Sequence, residues 1–328
     1  MRPPQDTAVS RRWFLERMAW VTSAAVGGGV VAPRSARGAE KTHTYLREIP
    51  ASTGALKSVG ELTELTIADT VDLVRRRVVS PEDLARAHVD RVDLYDHLYQ
   101  AYADRPAIDA LLASARSVPD DFHQPLRGVC LAPKDNFYTS DMLTEGGSLV
   151  FEGFQPRYDA TAVALMRSAG GLIVGKAQMG NLAGGRAQVY GTTIPTTRNA
   201  WTPNDVRYSP GGSSSGTGTA VAARMAVAGL GTQTGGSVVG PGNAQGLTCI
   251  KPTFGRISLH GVIPLSYTRD HVGPMARTAL DAAILLQVLA QPDLNDPRTR
   301  GLPPAPNSVQ SAVPTRGRQP PVRWPTRI

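Results

Sequence analysis

Two glycine-rich turns constrain this chain more than any other feature. The first, residues 210–218, reads PGGSSSGTG and leads directly into an Ala/Val-rich segment, residues 219–228, which predicts a helix; the second is Gly235-Gly236-Ser237. Gly and Ser without apolar neighbours normally form a flexible linker, but a linker would neither lead into a buried helix nor be matched by a second such turn. Backbone N–H groups in glycine turns beside a helix start can converge on an anion or a developing oxyanion. The pair of turns therefore predicts a site for acyl transfer or for phosphate.

The glycine turns only partly match two known motifs, the phosphate-binding P-loop and the Gly-x-Ser-x-Gly motif of a nucleophilic serine. A phosphate-binding P-loop needs a lysine after its glycines, and no lysine follows either turn. Residues 212–216 fit Gly-x-Ser-x-Gly, which would make Ser214 the nucleophile of an α/β-hydrolase with Asp270 and His271 downstream. That elbow requires a strand immediately before it, whereas Pro210 could not join a central ladder. An esterase that uses Ser214 stays open as an alternative.

The spacing of apolar residues predicts an α/β domain. Apolar residues at helical spacing over 65–79 and the helix start at Ser80-Pro81 predict two opening helices. Strands that alternate with helices favour a sheet whose strand ends carry the active site, and Lys134 lies just past the first predicted strand. The further predicted elements are strand 128–132, helix 159–169, strand 172–174 and a helix from a capping box at Thr278 to about residue 289.

The basic charge of the chain is confined to its two ends. The net charge of +8 and the pI near 9.8 would ordinarily suggest a nucleic-acid partner. Arginines are concentrated in residues 1–38 and 297–328, and the stretch between them contains slightly more acidic than basic residues. The basic pI is therefore no evidence for a nucleic-acid partner, and we expect none.

The N-terminal and C-terminal segments predict an exported protein with one domain. Arg11 and Arg12 precede an apolar run that is too short to span a membrane, and a small-residue segment ends near Ala39. This layout resembles a twin-arginine signal peptide, so we expect the export machinery as a partner and a periplasmic or secreted location; an uncleaved amphipathic anchor is the alternative. We predict a signal peptide over residues 1–39, a catalytic domain over 40–296 and a disordered Pro/Arg-rich tail over 297–328.

The two cysteines give no sign of a metal site. Cys130 and Cys249 are far apart in the sequence, without a CxxC pair or metal-finger spacing. Both lie in apolar segments, which favours two small buried side chains, although a disulfide stays open. We expect no metal and no organic cofactor.

Several motifs, in one order, resemble the amidase signature family. The resemblance covers about residues 62 to 290. Residues 210–216 match the Gly/Ser-rich signature, residues 231–237 (GTQTGGS) match the nucleophile turn, and residues 125–136 look like the catalytic-lysine segment. The further matches, in the family's order, are residues 175–179 (GKAQM), 199–201 (NAW) and 251–255 (KPTFG).

The resemblance implies a fold and a mechanism. It implies an α/β fold in which a mixed central sheet is covered by helices. It implies that Ser237 is the nucleophile, that Ser213, after a cis peptide bond, is the relay, and that Lys134 is the base. It further implies hydrolysis of a small-molecule amide, with no nucleic acid bound, and leaves a homodimer open. The remaining implied site residues are Thr234, Gly235 and Gly236 in an oxyanion hole and Met179 and Ser214 in contact with substrate.

The departures from the family pattern leave other functions open. Gln233 stands where many members have an acid, Val239 stands where an arginine usually follows the nucleophile, and Ser215 and Thr217 replace Gly and a small residue. Family members continue well beyond the point where this sequence becomes Pro/Arg-rich, so we expect the C-terminal part of the fold to be missing. A catalytically impaired remnant is therefore one alternative. A second is an amidase like the one in glutamyl-tRNA amidotransferase, although the export signal argues against it.

Overall fold

The computed structural model of the protein describes three stretches of the chain, residues 59–120, 124–185 and 196–303. The predicted signal peptide, residues 1–39, lies outside them, as does the predicted tail beyond residue 303. Within these stretches no helix combines the length and the apolar character needed to cross a bilayer.

The described start of the predicted tail packs onto the domain. Residues Pro297–Thr299 form a 3-10 helix, and Thr299 is buried. The Thr299 hydroxyl donates to the carbonyl oxygens of Asp293 and Asp296, which ties this turn to the preceding loop. The folded region therefore extends past the boundary predicted at residue 296.

A mixed five-stranded sheet forms the centre of the described part. Its strand order is β3-β2-β5-β7-β6, where β2 is parallel to β3 and β5, and β7 is antiparallel to β5 and β6. Strands β1 and β4 pair separately. This architecture confirms the predicted α/β fold with a mixed central sheet. The strands are β1 Tyr102–Asp104, β2 Cys130–Pro133, β3 Leu172–Ile173, β4 Lys176–Ala177, β5 Ala228–Gln233, β6 Thr248–Cys249 and β7 His271–Ala276.

Helices cover the sheet, and their starts follow local sequence signals. Ser80 and Asp83 form a capping box, with Pro81 as the first helical residue. Thr278 caps the last helix, but the Asp281 carboxylate accepts from the Ile67 N–H at 3.0 Å, so the predicted capping box is only half formed. The helices are α1 Val59–Glu64, α2 Ile67–Arg75, α3 Pro81–Tyr99, α4 Ile108–Ser117, α5 Thr161–Ser168, α6 Ser215–Ala222, α7 Val239–Gln245 and α8 Ala279–Leu289.

Helix α6 begins inside the Gly/Ser-rich run, earlier than the helix predicted over 219–228, and residue 228 already belongs to β5. Every residue of α6 is buried. A Cβ on Gly216 would lie 2.3 Å from the Ala101 carbonyl oxygen and 2.4 Å from the Gln178 nitrogen. The run is therefore rich in small residues because the helix packs directly against neighbouring backbone.

The parallel pairing of β2 and β5 places two loops at one edge of the sheet. Pro133 lies opposite Leu230, and the Lys134 N–H donates to the Leu230 carbonyl at 2.9 Å. Lys134 follows β2 at this edge, and Thr234 follows β5. The two predicted catalytic segments therefore meet where parallel strands end.

Both cysteines are free thiols, so the disulfide left open by the sequence is not formed. Cys130 is buried in β2, as expected, whereas Cys249 is half-buried at the edge strand β6. Burial raises the pKa of both thiols. Neither cysteine has the low pKa of a reactive thiolate.

Replacing His88 with Asn tests the acid sensitivity of the helical layer. The His88 ring is fully buried, its Nδ1 lies 2.9 Å from the Leu84 carbonyl, and burial lowers its pKa from 6.5 to about 4. The folded protein therefore binds fewer protons than the unfolded chain and loses stability as the pH falls from about 6.5 to 4. Over this range, we expect the unfolding free energy in urea to fall by up to about 3 kcal/mol more in the wild type than in His88→Asn.

The Asp281 carboxyl acts in the opposite direction but cancels in this comparison. Burial raises its pKa to about 6, so its ionisation destabilises the fold as the pH rises, equally in both proteins. The same pH dependence in wild type and variant would contradict this account of His88.

Candidate active site

Lys134 is a fully buried amine at the end of β2. Its side chain is 0% exposed, and its Nζ lies 2.7 Å from the Ser213 Oγ and 2.8 Å from the Thr232 Oγ1. Burial lowers the pKa of Lys134 from 10.5 to about 7, while the negative charge of Asp270 acts against that shift. Near neutral pH a large fraction of this amine is therefore uncharged.

An uncharged Lys134 amine can form hydrogen bonds with all three neighbouring oxygen atoms, which belong to Ser213 and Thr232. A neutral Nζ has two N–H donors and one lone pair. The hydroxyl and the carbonyl oxygen of Thr232, the latter at 3.4 Å, can accept the two N–H groups, which leaves the lone pair for the Ser213 hydroxyl. The Asn136 amide also donates to the Thr232 hydroxyl, at 3.0 Å, and fixes it in place. The geometry therefore allows Lys134 to accept a proton from Ser213.

Ser213 follows the cis peptide bond Gly212–Ser213 that the family resemblance implied. Its side chain is 0% exposed. Gly211, with φ of +80°, precedes this bond, and a Cβ there would lie 2.5 Å from the Cα of Pro241. The first glycine turn is thus packed tightly onto α7.

Ser237 lies in the second glycine turn, beside the first. It is half-buried, and its carbonyl oxygen accepts from the Ser214 N–H at 3.4 Å. The structure thus brings the backbones of the two turns into contact. Within the described residues the Ser213 hydroxyl binds Lys134 but makes no hydrogen bond to the Ser237 hydroxyl. The step from Ser237 to Ser213 is therefore a proposal.

The implied oxyanion hole is built from the turn between β5 and α7. Gly236 has φ of +151°, a conformation that side chains disfavour. The N–H groups of Gly235 and Gly236 donate to no acceptor within the described residues. Gly235 is exposed and Gly236 half-buried. These N–H groups are available to a substrate oxygen.

The Gln233 side chain holds the nucleophile turn through two hydrogen bonds. Its Oε1 accepts from the N–H groups of Val238 and Val239, both at 3.0 Å. These bonds span Ser237 and connect the end of β5 to the start of α7. The side chain of Val239, which stands where the family usually has an arginine, is 45% exposed. One oxygen of the uncharged Gln233 side chain therefore accepts both hydrogen bonds that fix the turn.

Met179 and Ser214, the two residues expected to contact substrate, are both buried. The Ser214 hydroxyl donates to the Thr232 carbonyl at 3.4 Å. Met179 is next to Gly180, whose N–H donates to the Ser213 carbonyl at 3.1 Å. Both residues therefore border the relay serine, while their contact with substrate stays a prediction.

The geometry argues against Ser214 as the nucleophile of a serine elbow. The segment before it, residues 207–212, contains no strand. Ser214 is fully buried, and His271 is half-buried with its Nδ1 2.6 Å from the Arg269 carbonyl. The expected partner histidine is thus engaged elsewhere.

Sequence reasoning missed a buried ion pair next to the site. Lys176 on β4 lies 3.3 Å from the Asp135 carboxylate and donates to the Thr144 hydroxyl at 2.6 Å. The other Asp135 oxygen accepts from the N–H groups of Glu145 and Gly147. One signal of this ion pair was present in the sequence, the position of Lys176 within a short apolar segment, which suggests a buried lysine. Its partners Asp135 and Thr144 lie in other segments, so the sequence alone could not identify them. Across the described stretches no cluster of three or more His, Cys, Asp or Glu residues could hold a metal ion.

The arrangement agrees with comparisons to known proteins. A family model described as Amidase matches residues 83–322. The chain belongs to the amidase family. Among its relatives, Putative amidase AmiD of Mycobacterium bovis is 38% identical over 241 residues, which cover 72% of this chain and 49% of that protein. A glutamyl-tRNA(Gln) amidotransferase subunit of Myxococcus xanthus is 38% identical over 261 residues, which cover 78% of this chain and 53% of that protein.

Solved amidase structures have the same fold. The native peptide amidase of Stenotrophomonas maltophilia superposes with a TM-score of 0.67 at 32% identity, over 74% of this chain and 51% of that one. The corresponding glutamyl-tRNA(Gln) amidotransferase subunit of Thermotoga maritima gives a TM-score of 0.62 at 32% identity, over 73% and 49% of the two chains. The chain thus spans about half the length of the amidases it matches.

Replacing Gln233 with Met tests its support of the nucleophile turn. Met has a similar volume but no acceptor, so the N–H groups of Val238 and Val239 lose their partner. We expect the variant to unfold with a free energy about 1–3 kcal/mol lower than the wild type in urea denaturation. Gln233→Glu is the matched variant, because it retains acceptor oxygens, and it should lose less stability. The account would be wrong if Gln233→Met were as stable as the wild type.

Proposed function

We propose that this chain cleaves the C–N bond of a carboxamide through an acyl-enzyme on Ser237, with Ser213 as relay and Lys134 as base. The observation that carries the proposal is the fully buried Lys134 amine, 2.7 Å from the Ser213 hydroxyl. A serine hydroxyl becomes nucleophilic when a neighbouring base takes its proton. A lysine serves as that base only when uncharged, and its pKa of about 7 supports this role.

The first step forms a bond between Ser237 Oγ and the substrate's carbonyl carbon. The Ser237 proton moves to Ser213, and the Ser213 proton moves to Lys134, which becomes an ammonium. The carbonyl oxygen becomes an oxyanion and accepts hydrogen bonds from the N–H groups of the turn at Thr234, Gly235 and Gly236. Each such donor contributes about 3–4 kcal/mol to stabilising the transition state.

The second step breaks the C–N bond. The proton on Lys134 returns through Ser213 to the leaving nitrogen, which departs as ammonia or an amine. A water molecule then attacks the ester on Ser237, giving its proton to the same relay. The acid is released and Ser237 regains its proton.

The substrate we propose is an uncharged, linear or aryl carboxamide. Amide cleavage is supported by the family membership and by the peptide amidase among the similar structures. The similarity to glutamyl-tRNA(Gln) amidotransferase subunits supports the alternative, in which the chain is an amidase like the one in that amidotransferase. Because the chain spans about half the length of these relatives, weak or absent catalysis is a further outcome that the test must distinguish.

A serine-directed fluorophosphonate probe tests the roles of Ser237 and Lys134. We expect labelling of the wild type to disappear in Ser237→Ala, because the attacked phosphorus bonds to that hydroxyl. Labelling should slow by about a hundredfold or more in Lys134→Met, which removes the base. The measurement is the rate of covalent labelling in intact-mass spectra.

The matched control for this labelling is Ser214→Ala, which should retain labelling because Ser214 is fully buried. Labelling lost only in Ser214→Ala would instead indicate the esterase. No labelling of soluble, folded wild-type protein would indicate the impaired remnant and contradict the proposal.

We also propose export through the twin-arginine pathway. Arg11 and Arg12, followed by an apolar run, support it. Replacing both with Lys keeps the charge but removes the paired guanidinium groups. We expect this variant to stay in the cytoplasmic fraction while the wild type reaches the periplasm or medium, as measured by immunoblotting of cell fractions. Equal distribution of the two proteins would contradict export by this route; the homodimer stays a prediction.

A further inference from the structure

Asp270 lies at the end of the ladder that leads into the nucleophile turn. Strands β5 and β7 pair antiparallel, with Gln233 opposite His271. The next residue after β5 is Thr234, and the residue before β7 is Asp270. Strand pairing therefore places these two residues side by side at the edge of the sheet.

The Asp270 carboxylate is buried and fully engaged. It is 4% exposed. One oxygen accepts a hydrogen bond from the Thr234 hydroxyl. The other accepts from the N–H groups of Leu265 and Ser266, at 2.8 and 2.9 Å. These three donors give both carboxylate oxygens of Asp270 a hydrogen-bond partner.

These contacts connect the nucleophile turn to the loop before β7. Thr234 is the first residue of the turn whose N–H groups face the reaction in the proposed mechanism. Gln233 holds the other end of the turn, through Val238 and Val239. Side chains therefore hold the turn on both sides of Ser237: Gln233 after it, and Asp270, through Thr234, before it. We call the Asp270–Thr234 contact the clamp.

Lys134 binds the Thr232 hydroxyl and Asp270 binds the Thr234 hydroxyl, two residues further along the chain, so the charge of Asp270 also acts on Lys134. Burial lowers the pKa of Lys134, and the Asp270 carboxylate raises it again in part. Charged or titratable groups near this site in the described part of the chain include Arg269 and His271, which flank Asp270, and Arg298, which binds the Tyr267 carbonyl in the same loop. They also include Asp135, the residue after Lys134, and its ion-pair partner Lys176.

We propose that Asp270 is a positioning residue for the amide hydrolysis: its carboxylate holds the nucleophile turn through Thr234 and stabilises the ammonium that forms on Lys134. The inference rests on the proposed function. In the first step an oxyanion forms at the nucleophile turn while an ammonium forms on the fully buried Lys134. A fixed carboxylate near the ammonium stabilises that charged state without needing to reorganise.

Two variants separate the clamp from the charge. Asp270→Asn removes the charge and part of the clamp. Thr234→Val removes only the hydroxyl that Asp270 binds, and Thr234→Ser is its matched control, since it keeps that hydroxyl. Asp141→Asn, at an exposed ion pair with Arg167, controls for a general change of charge.

Two readouts are measured on each folded protein. The first is the titration midpoint of Lys134, followed by NMR of ¹³Cε-labelled lysine; the chain has five lysines, and Lys134→Met assigns the signal. The second is the rate of fluorophosphonate labelling of Ser237. The first readout does not depend on activity, so it distinguishes failure of this inference from failure of the proposed function.

We expect the midpoint of Lys134 to fall by about one pH unit or more in Asp270→Asn, since a nearby opposite charge is lost. It should stay unchanged in Thr234→Val, Thr234→Ser and Asp141→Asn. Labelling should slow by about tenfold or more relative to the wild type in both Asp270→Asn and Thr234→Val, and Thr234→Ser, which keeps the hydroxyl, should slow less than Thr234→Val.

An unshifted midpoint in Asp270→Asn would overturn the electrostatic part of the inference. Equal labelling of Thr234→Val and Thr234→Ser would overturn the clamp, and this comparison decides the clamp even if Asp270→Asn does not fold. A shifted midpoint together with a wild type that is never labelled would support the charge coupling and contradict the proposed function instead.

Discussion

The proton affinity of one buried amine governs the chemistry open to this site. Lys134 lies at the end of β2, fully buried, with hydroxyl and carbonyl neighbours rather than a carboxylate in direct contact. Desolvation of an ammonium is costly, so this environment shifts the equilibrium towards the free amine. The Asp270 charge limits the shift, which leaves the pKa at about 7. A group of this kind can take and return a proton within one catalytic cycle.

The glycine turns supply the rigid frame that such a proton relay requires. The signature run is close-packed, because Gly211 and Gly216 leave no space for a side chain against Pro241 and Ala101. Polar side chains hold the second turn at both ends. The small-residue composition that would mark a linker elsewhere is here a condition for backbone contact between two turns. The relay residues are therefore fixed by packing rather than by local helix or strand preference.

Local signals were sufficient for part of this structure and insufficient for the rest. The start of α3 at Pro81, after its N-cap Ser80, the strand β2 and the position of Lys134 followed from capping and apolar patterning. The sequence predicted a helix through residue 228, but β5 begins there, because an Ala/Gly-rich segment has no strand-like alternation to reveal a buried central strand. The Asp270–Thr234 and Lys176–Asp135 contacts depend on which strands pair, and local pattern does not encode that pairing.

The pH dependence of the reaction between Ser237 and the fluorophosphonate probe tests the central claim most directly. The rate constant for modification of the wild-type protein would be measured from about pH 5 to 9 at constant ionic strength. If an uncharged Lys134 is the base, the rate rises about tenfold per pH unit on the acid side, bends near its pKa of about 7 and then levels off. A rate that is flat across this range, or a profile that is the same after Lys134→Met, would contradict the account.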